Sequence, residues 1–327
     1  MTTRAQTTSE NAVVDGQARA GVVRLTQSRQ ARSLWRDAGR RFVRNKLSVF
    51  GLIVVTILVC LAVFADDWFI ALPLGREAKP LIARTPYDKG FYGPANEFPG
   101  SKYWLGTDPV GRDFFSRIIY GARVSLTVGI LAQLIAFTIG VPLGALAGWK
   151  GGGVDFMIMR LVDVFSAIPT LILAVIVMAR LGPGFWNVML AIGLTSWIII
   201  CRLTRAQFLS LREKEFVEAS RMIGSGAWRI ARVHLFPNAL APVIVALTLG
   251  IPAAIFAEAG LSFLGVGINP PTPSWGQMLS RDGLANINYF WHLALFPAIM
   301  IAATMLGFTL MGDGLRDALD PKMLYDR

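Results

Sequence analysis

The sequence predicts an all-α membrane protein of about six transmembrane helices with both termini in the cytoplasm. Three observations carry that reading. Of 327 residues, 54% are hydrophobic and 16% charged, whereas soluble domains carry roughly 25% charged residues. Six apolar runs without charge, at 47–65, 124–149, 164–179, 181–201, 235–257 and 283–312, approach or exceed the about 20 helical residues that cross a hydrocarbon core. Lysines and arginines concentrate on alternate connections, as membrane orientation requires.

Residues 1–32 are polar and without period, which predicts a disordered cytoplasmic N-terminus; nothing in them resembles a secretory signal. From 33 to 46, Leu34, Trp35, Ala38 and Phe42 fall on one side and arginines elsewhere, the pattern of an amphipathic helix in the headgroup plane. The first transmembrane helix follows at 47–66. Residues 67–118 are rich in Gly and Pro and predict an ordered extracytoplasmic loop. The remainder, 119–312, is a five-helix core interrupted at 215–238 by a polar stretch, and 313–327 is a cytoplasmic tail. The third run extends back through Phe156. The run from 259 to 280 contains "GVGINPPTPSWG"; unpaired backbone groups are costly in lipid, so it reads as an external loop or re-entrant turn.

Orientation follows from the basic residues. Residues 1–46 hold ten Lys or Arg against three acids, and 202–234 hold seven against three. The 67–111 loop balances five basic with five acidic residues. The net charge of +11 reflects this bias, and no nucleic-acid partner is implied; lipid is. Cys60 and Cys201 lie in predicted spans and form no framework.

No lysine follows a glycine, so the chain lacks a phosphate-cradling P-loop. His234 and His292 are isolated. No catalytic residue, metal site or cofactor is expected.

The polar stretch "EFVEASRMIGSGAWRIARVHLFPN" places Phe216, Ala219, Ser220, Ile223 and Ala227 at helical spacing, a stripe whose middle is small. Gly224 and Gly226 suit a chain reversal with positive φ. A second helix returns to the membrane, and Pro237 stops it and opens the fifth span. The pattern fits a short helix offering a small-residue face to a partner, or an ordinary basic connection.

These residues resemble the "EAA" loop of ABC importer permeases: Glu218, Ala219 and Ser220, then Gly224, Ile230 and Pro237, with Ser220 in place of the second alanine and Phe236 between Leu235 and Pro237. The segments "LGTDPVGRDFFSRIIYGARVSLTVG", "EAGLSFLGVG", "PSWGQML" and "GDGLRDALDP" are similar to the second, "C"-type inner-membrane permease subunit of the dipeptide/oligopeptide/nickel ABC importer family. The first supplies Asp108, Gly111, Arg112, Asp113, Ser116, Arg117 and Arg123. The resemblance implies a type I ABC importer permease fold in the bacterial inner membrane. It also implies a heterodimer with a homologous permease, two cytoplasmic ATPases that hold ATP and magnesium, and an external substrate-binding protein. Peptide is the implied substrate, with nickel chelates and oligosaccharides as alternatives, and the 215–238 loop is the ATPase-coupling element.

Ionisable groups in a span are functional candidates. Arg160 and Asp163 are one helical turn apart and can pair, or touch substrate. Glu258 accepts hydrogen bonds from a loop or helix N-terminus, or faces the pathway. Gln133, Thr170, Asn187 and Ser196 are polar pathway candidates. Pro142, Pro169, Pro252 and Pro297 lie within spans and suit a bundle that bends. A proton-coupled secondary transporter using Asp163 and Glu258, and a membrane scaffold, are the competing readings.

Overall fold

The computed structural model describes residues 34–73, 77–88 and 93–319. The polar segment 1–32 and residues 320–327 of the tail lie outside the described residues. Among the described residues there is no β-strand, and two isolated bridges, Asp66 with Pro80 and Thr107 with Asp113, organise the first loop.

Helix α1 (Leu34–Arg44) lies against the C-terminal end of the last helix. Asn45 separates it from α2 (Lys46–Val63) and accepts hydrogen bonds from the N–H groups of Leu47 and Ser48 at 3.0 and 3.4 Å. That side-chain cap satisfies donors the first turn leaves open. Helix α3 (Phe114–Lys150) runs 37 residues and begins ahead of residue 119 because Asp113 caps it, accepting from the Ser116 N–H. The third span is not one helix. It breaks into α4 (Gly152–Ser166) and α5 (Thr170–Leu181), bent by 85°. Pro169 therefore does not lie inside a helix; it stands at the break with ψ near 132°. A proline donates no N–H and disfavours helical backbone in the residue before it, here Ile168.

Helix α6 (Phe185–Arg212) continues well past the apolar run, so Arg202 and Arg205 are helical residues and not loop residues. Short α7 (Glu215–Met222) follows. Helix α8 (Ala227–Phe263) is continuous, with a π turn at Ile230–Leu235. Pro237 consequently does not stop a helix: the widened turn before it accommodates its ring and its missing donor. A loop through 264–274 leads to a short helix Trp275–Gln277, a π turn Met278–Gly283 and a 3-10 turn Leu284–Asn286. The start of the apolar run at 283 thus falls in these short turns outside the span, and α9 (Trp291–Leu319) carries the sixth span. Its last turns are the "GDGLRDAL" residues, so the first part of the expected tail, 313–319, continues the helix of the span. Among the described residues, five helices have the length and apolarity to cross a membrane, or six if the bent α4–α5 pair is one span.

The bundle is built on α3 against α6. Gly140, Gly144 and Gly148 form a stripe at four-residue spacing on α3. A Cβ at Gly140 or Gly148 would sit 2.7 Å from the backbone carbonyl of Trp197 or Arg205, and one at Gly144 would overlap the Cys201 carbonyl. Small residues let helices approach to backbone contact, where dispersion and not the hydrophobic effect holds them in lipid. Gly144→Ala should therefore push α6 outward and cost about 1–3 kcal/mol, read as a lower thermal midpoint of the detergent-purified protein; an unchanged midpoint would refute the close-packing account.

Candidate functional site

A cavity of about 600 Å³ lies at mid-height in the bundle, among α3, the α4–α5 break, α6 and α8. Its floor is the interrupted backbone between Ser166 and Thr170. Irregular backbone at membrane depth is tolerated where it lines a cavity and not lipid. Gln133, Ser166, Thr170, Thr195, Ser196 and Arg202 contribute its polar lining, and alanines of α8 much of its apolar wall. The Gln133 amide nitrogen donates to the Gly250 carbonyl at 3.0 Å, and a Cβ at residue 250 would overlap that amide. The Ser166 and Ser196 hydroxyls donate to carbonyls of their own helices. Three of the four polar pathway candidates thus meet here. Asn187 does not: its amide donates to the Leu181 and Gly182 carbonyls at 2.8 and 3.1 Å, closing the end of α5.

The charged candidates pair differently from the sequence expectation. Asp163 takes its ion pair from Arg202 on α6, at 3.1 Å, and not from Arg160. Arg160 instead lies 5.0 Å over the Phe156 ring. One turn away, Arg205 and Asp155 make a bidentate pair, with Nη2 to Oδ2 at 2.6 Å. Spacing along one helix cannot reveal these partners, because they come from a helix that outlasts its apolar run.

Glu258 is fully buried near the opposite end of α8. Its Oε1 accepts from the Ser262 hydroxyl at 2.8 Å and the Ser274 hydroxyl at 2.7 Å. Ser274 Oγ in turn accepts from the Gln277 N–H at 3.1 Å. The carboxylate therefore ties α8 to the 264–290 loop and is not among the cavity's lining residues.

The residues of the 105–129 segment form one polar cluster beside that loop. Asp108 is fully buried. Its Oδ1 accepts from the N–H groups of Val110 and Arg112, each at 2.9 Å, and its Oδ2 from Arg112 Nε at 2.6 Å. Arg117 Nε lies 3.4 Å from the same Oδ2. Arg117 also donates to the Pro271 carbonyl at 3.4 Å and to Gln277 at 3.5 Å. Gly111 supplies the positive φ that closes the turn. Asp113 Oδ2 accepts from the Ser116 hydroxyl at 2.6 Å, and Ser116 Oγ accepts from the N–H groups of Arg84 and Thr85. Arg123 pairs with Asp66 at 2.8 Å and donates to the Ala62 carbonyl, holding the end of α2. Burial raises the carboxyl of Asp282 above the ordinary carboxylate range, against the pull of the Arg117 guanidinium. Two carboxyls, Asp108 and Asp282, thus face two guanidiniums, Arg112 and Arg117. Sequence reasoning missed Asp66, Gln277 and Asp282; each is an isolated polar residue whose partners lie in a different loop.

Trp275 locks the cluster in place. Its indole N–H donates to the Ile118 carbonyl at 3.0 Å, and its backbone N–H to the Ser125 hydroxyl at 3.1 Å.

At the other end of the bundle, α7 packs Val217 and Ser220 inward against an apolar cluster that includes Phe208, Ile230 and Leu235. Ser220 is 5% exposed and so does not belong to the outward face where the sequence stripe placed it. The outward face comprises Glu218, Ala219, Met222 and Ile223, the last two each 83% exposed. Gly224 has φ +82°. The Gly224 N–H donates to the Arg221 carbonyl and the Ser225 N–H to the Ser220 carbonyl, at 2.9 and 3.0 Å. This is the doubly bonded helix ending that favours glycine at its left-handed position. Gly226, at φ −65°, has ordinary backbone and needs no glycine on that account. Ile230 is buried and Pro237 exposed.

Comparison with known proteins finds two family profiles. The "Binding-protein-dependent transport system inner membrane component" family matches residues 140–325, and the "N-terminal TM domain of oligopeptide transport permease C" matches residues 33–99. An oligopeptide transport system permease protein of Bacillus subtilis (strain 168) is 40% identical over 297 residues, covering 90% of this chain and 92% of that protein. A dipeptide transport system permease protein of the same organism is 41% identical over 297 residues, covering 90% and 88%. Among solved structures, an inward-facing methionine ABC transporter superposes with a TM-score of 0.51 at 20% identity, covering 62% of this chain and 96% of that one; that likeness shows the fold.

Proposed function

Because the chain belongs to the family of binding-protein-dependent inner-membrane permeases of ABC importers, we propose that it forms half of a peptide translocation pathway. The observation that carries this reading is the mid-height cavity at the α4–α5 break, where polar side chains from four helices, α3, α4, α5 and α6, converge between apolar walls. Permeases of this family work with a second permease, ATPases and a substrate-binding protein. This chain is the "C"-type member of the pair, its partner is a homologous permease, and the pathway is completed at their shared face. Di- and oligopeptides are the substrate class, supported by the relatives that transport oligopeptides and dipeptides.

The chain supplies no catalytic chemistry, and ATP with its magnesium ion belongs to the two cytoplasmic ATPases. The α7 end of the bundle is the cytoplasmic one, as the basic residues of 202–234 and 1–46 suggest. The outward face of α7, led by Glu218, Ala219 and Ile223, seats on an ATPase. Arg160, no longer a partner of Asp163, serves as an interfacial anchor for α4.

The test is reconstitution of the complete importer in vesicles with binding protein outside and ATP inside. Ser196→Trp fills the cavity and should reduce peptide uptake by at least tenfold, while the assembled complex retains its composition. Uptake near the unmodified rate would remove the cavity from the pathway.

A further inference from the structure

Resting on the reading of the cavity as a pathway, we infer that Arg202 reads carboxylates on the passing substrate and biases the importer towards anionic peptides. Among the described residues, Arg202 is the charged side chain that lines this cavity; the other polar contributors are neutral hydroxyls and an amide. Such groups hydrogen-bond peptide backbone without regard to charge, so discrimination by charge falls to the guanidinium.

The geometry leaves Arg202 free to do this. It donates through Nη2 to Asp163 Oδ1 at 3.1 Å, and its side chain is 51% exposed. A guanidinium carries five N–H donors in a planar fork that matches a carboxylate, so donors remain for the cavity. By contrast, Arg205 one turn below is committed to Asp155 through both Nε and Nη2. Asp163 is 53% exposed, and the pair is monodentate among the bonds Arg202 makes to it. A substrate carboxylate can therefore replace Asp163 as ion partner at small cost, and Asp163 can reclaim the guanidinium afterwards. A pathway site has to bind well enough to admit its cargo and weakly enough to release it. The exchange of partners supplies that balance. Apolar walls around the cavity concentrate the field of this one cation on whatever occupies it.

Three variants at two residues make the inference testable. In the reconstituted importer, uptake is measured for a tripeptide with a central glutamate and for its lysine counterpart, each normalised to its binding by the isolated binding protein. Arg202→Gln should lower the anionic-to-cationic uptake ratio about tenfold, as expected for one charge-assisted hydrogen bond. Arg202→Lys, which keeps the charge, should hold most of the ratio. Asp163→Asn frees the guanidinium and should raise the ratio several-fold. A ratio unchanged in Arg202→Gln overturns the inference. So does an equal fall for both peptides in Arg202→Gln and Asp163→Asn, which would make the pair a structural brace between α4 and α6. If Arg202→Gln fails to assemble, Asp163→Asn decides the matter by itself: an unchanged ratio refutes a reading role. Failure of the pathway reading is seen separately, as unblocked uptake in Ser196→Trp.

Discussion

Asp108→Ala is expected to destabilise the protein by about 3–5 kcal/mol, the range for stripping one partner from a buried ionic group. The carboxylate accepts two backbone N–H bonds, a 2.6 Å bond from Arg112 Nε and the contact with Arg117 at 3.4 Å. Arg112 and Arg117 are both buried. Without Asp108, two guanidiniums share the carboxyl of Asp282, whose own burial opposes its ionisation. The loss should appear as a much lower thermal midpoint in detergent and a reduced yield of folded protein. The double replacement Asp108→Ala with Arg112→Leu restores charge balance and should recover about half of the loss. A single variant as stable as the unmodified chain, or a double variant no better than the single, would show that the cluster is held by the turn geometry and not by its charges.

That cluster also marks how far the sequence could be read. Its residues stood out in one contiguous segment, 105–129, through that segment's resemblance to the permease family. What they bind was not visible: Pro271, Gln277 and Asp282 are more than a hundred residues away along the chain. The spans were legible for the converse reason, since composition alone decides which segments enter lipid. Their ends were not. Helix α6 runs on to Arg212 and α9 to Leu319, because a helix continues into polar sequence wherever packing and caps support it. The third span failed as a single helix at Pro169, which sat in the sequence as one proline among several; Pro142, Pro242, Pro252 and Pro297 remain inside helices. Which proline breaks a helix depends on the neighbours that satisfy the freed backbone. Ser220 shows the same limit on a smaller scale, since a small stripe identifies a close contact without saying whether it lies inward or outward. The proton-relay alternative loses its footing on two counts: the family is that of ABC importer permeases, and Glu258 is bound to two serine hydroxyls away from the cavity.

Gly224→Val and Glu218→Lys are expected to abolish substrate-stimulated ATP hydrolysis by the reconstituted complex while leaving membrane insertion and folding intact. The two act through different physics. At Gly224 an added Cβ meets nothing within 4 Å, so bulk is harmless and backbone is decisive. Its φ of +82° is a conformation that β-branched residues resist, at a cost of about 1–3 kcal/mol. The helix ending would relax, and with it the 2.9 and 3.0 Å bonds that set the angle between α7 and α8. With α7 in the proposed coupling role, displacement passes through that angle, so the ATPases would turn over without moving the bundle, or not respond to substrate. Glu218 is exposed on the outward face and has no role in the fold among the described contacts. Lysine there leaves the chain intact and reverses the charge offered to the partner. Pull-down of the ATPases should weaken in Glu218→Lys and persist in Gly224→Val, which separates docking from transmission. If both variants hydrolyse ATP in step with substrate at near the unmodified rate, α7 is an ordinary connection and force enters the bundle elsewhere.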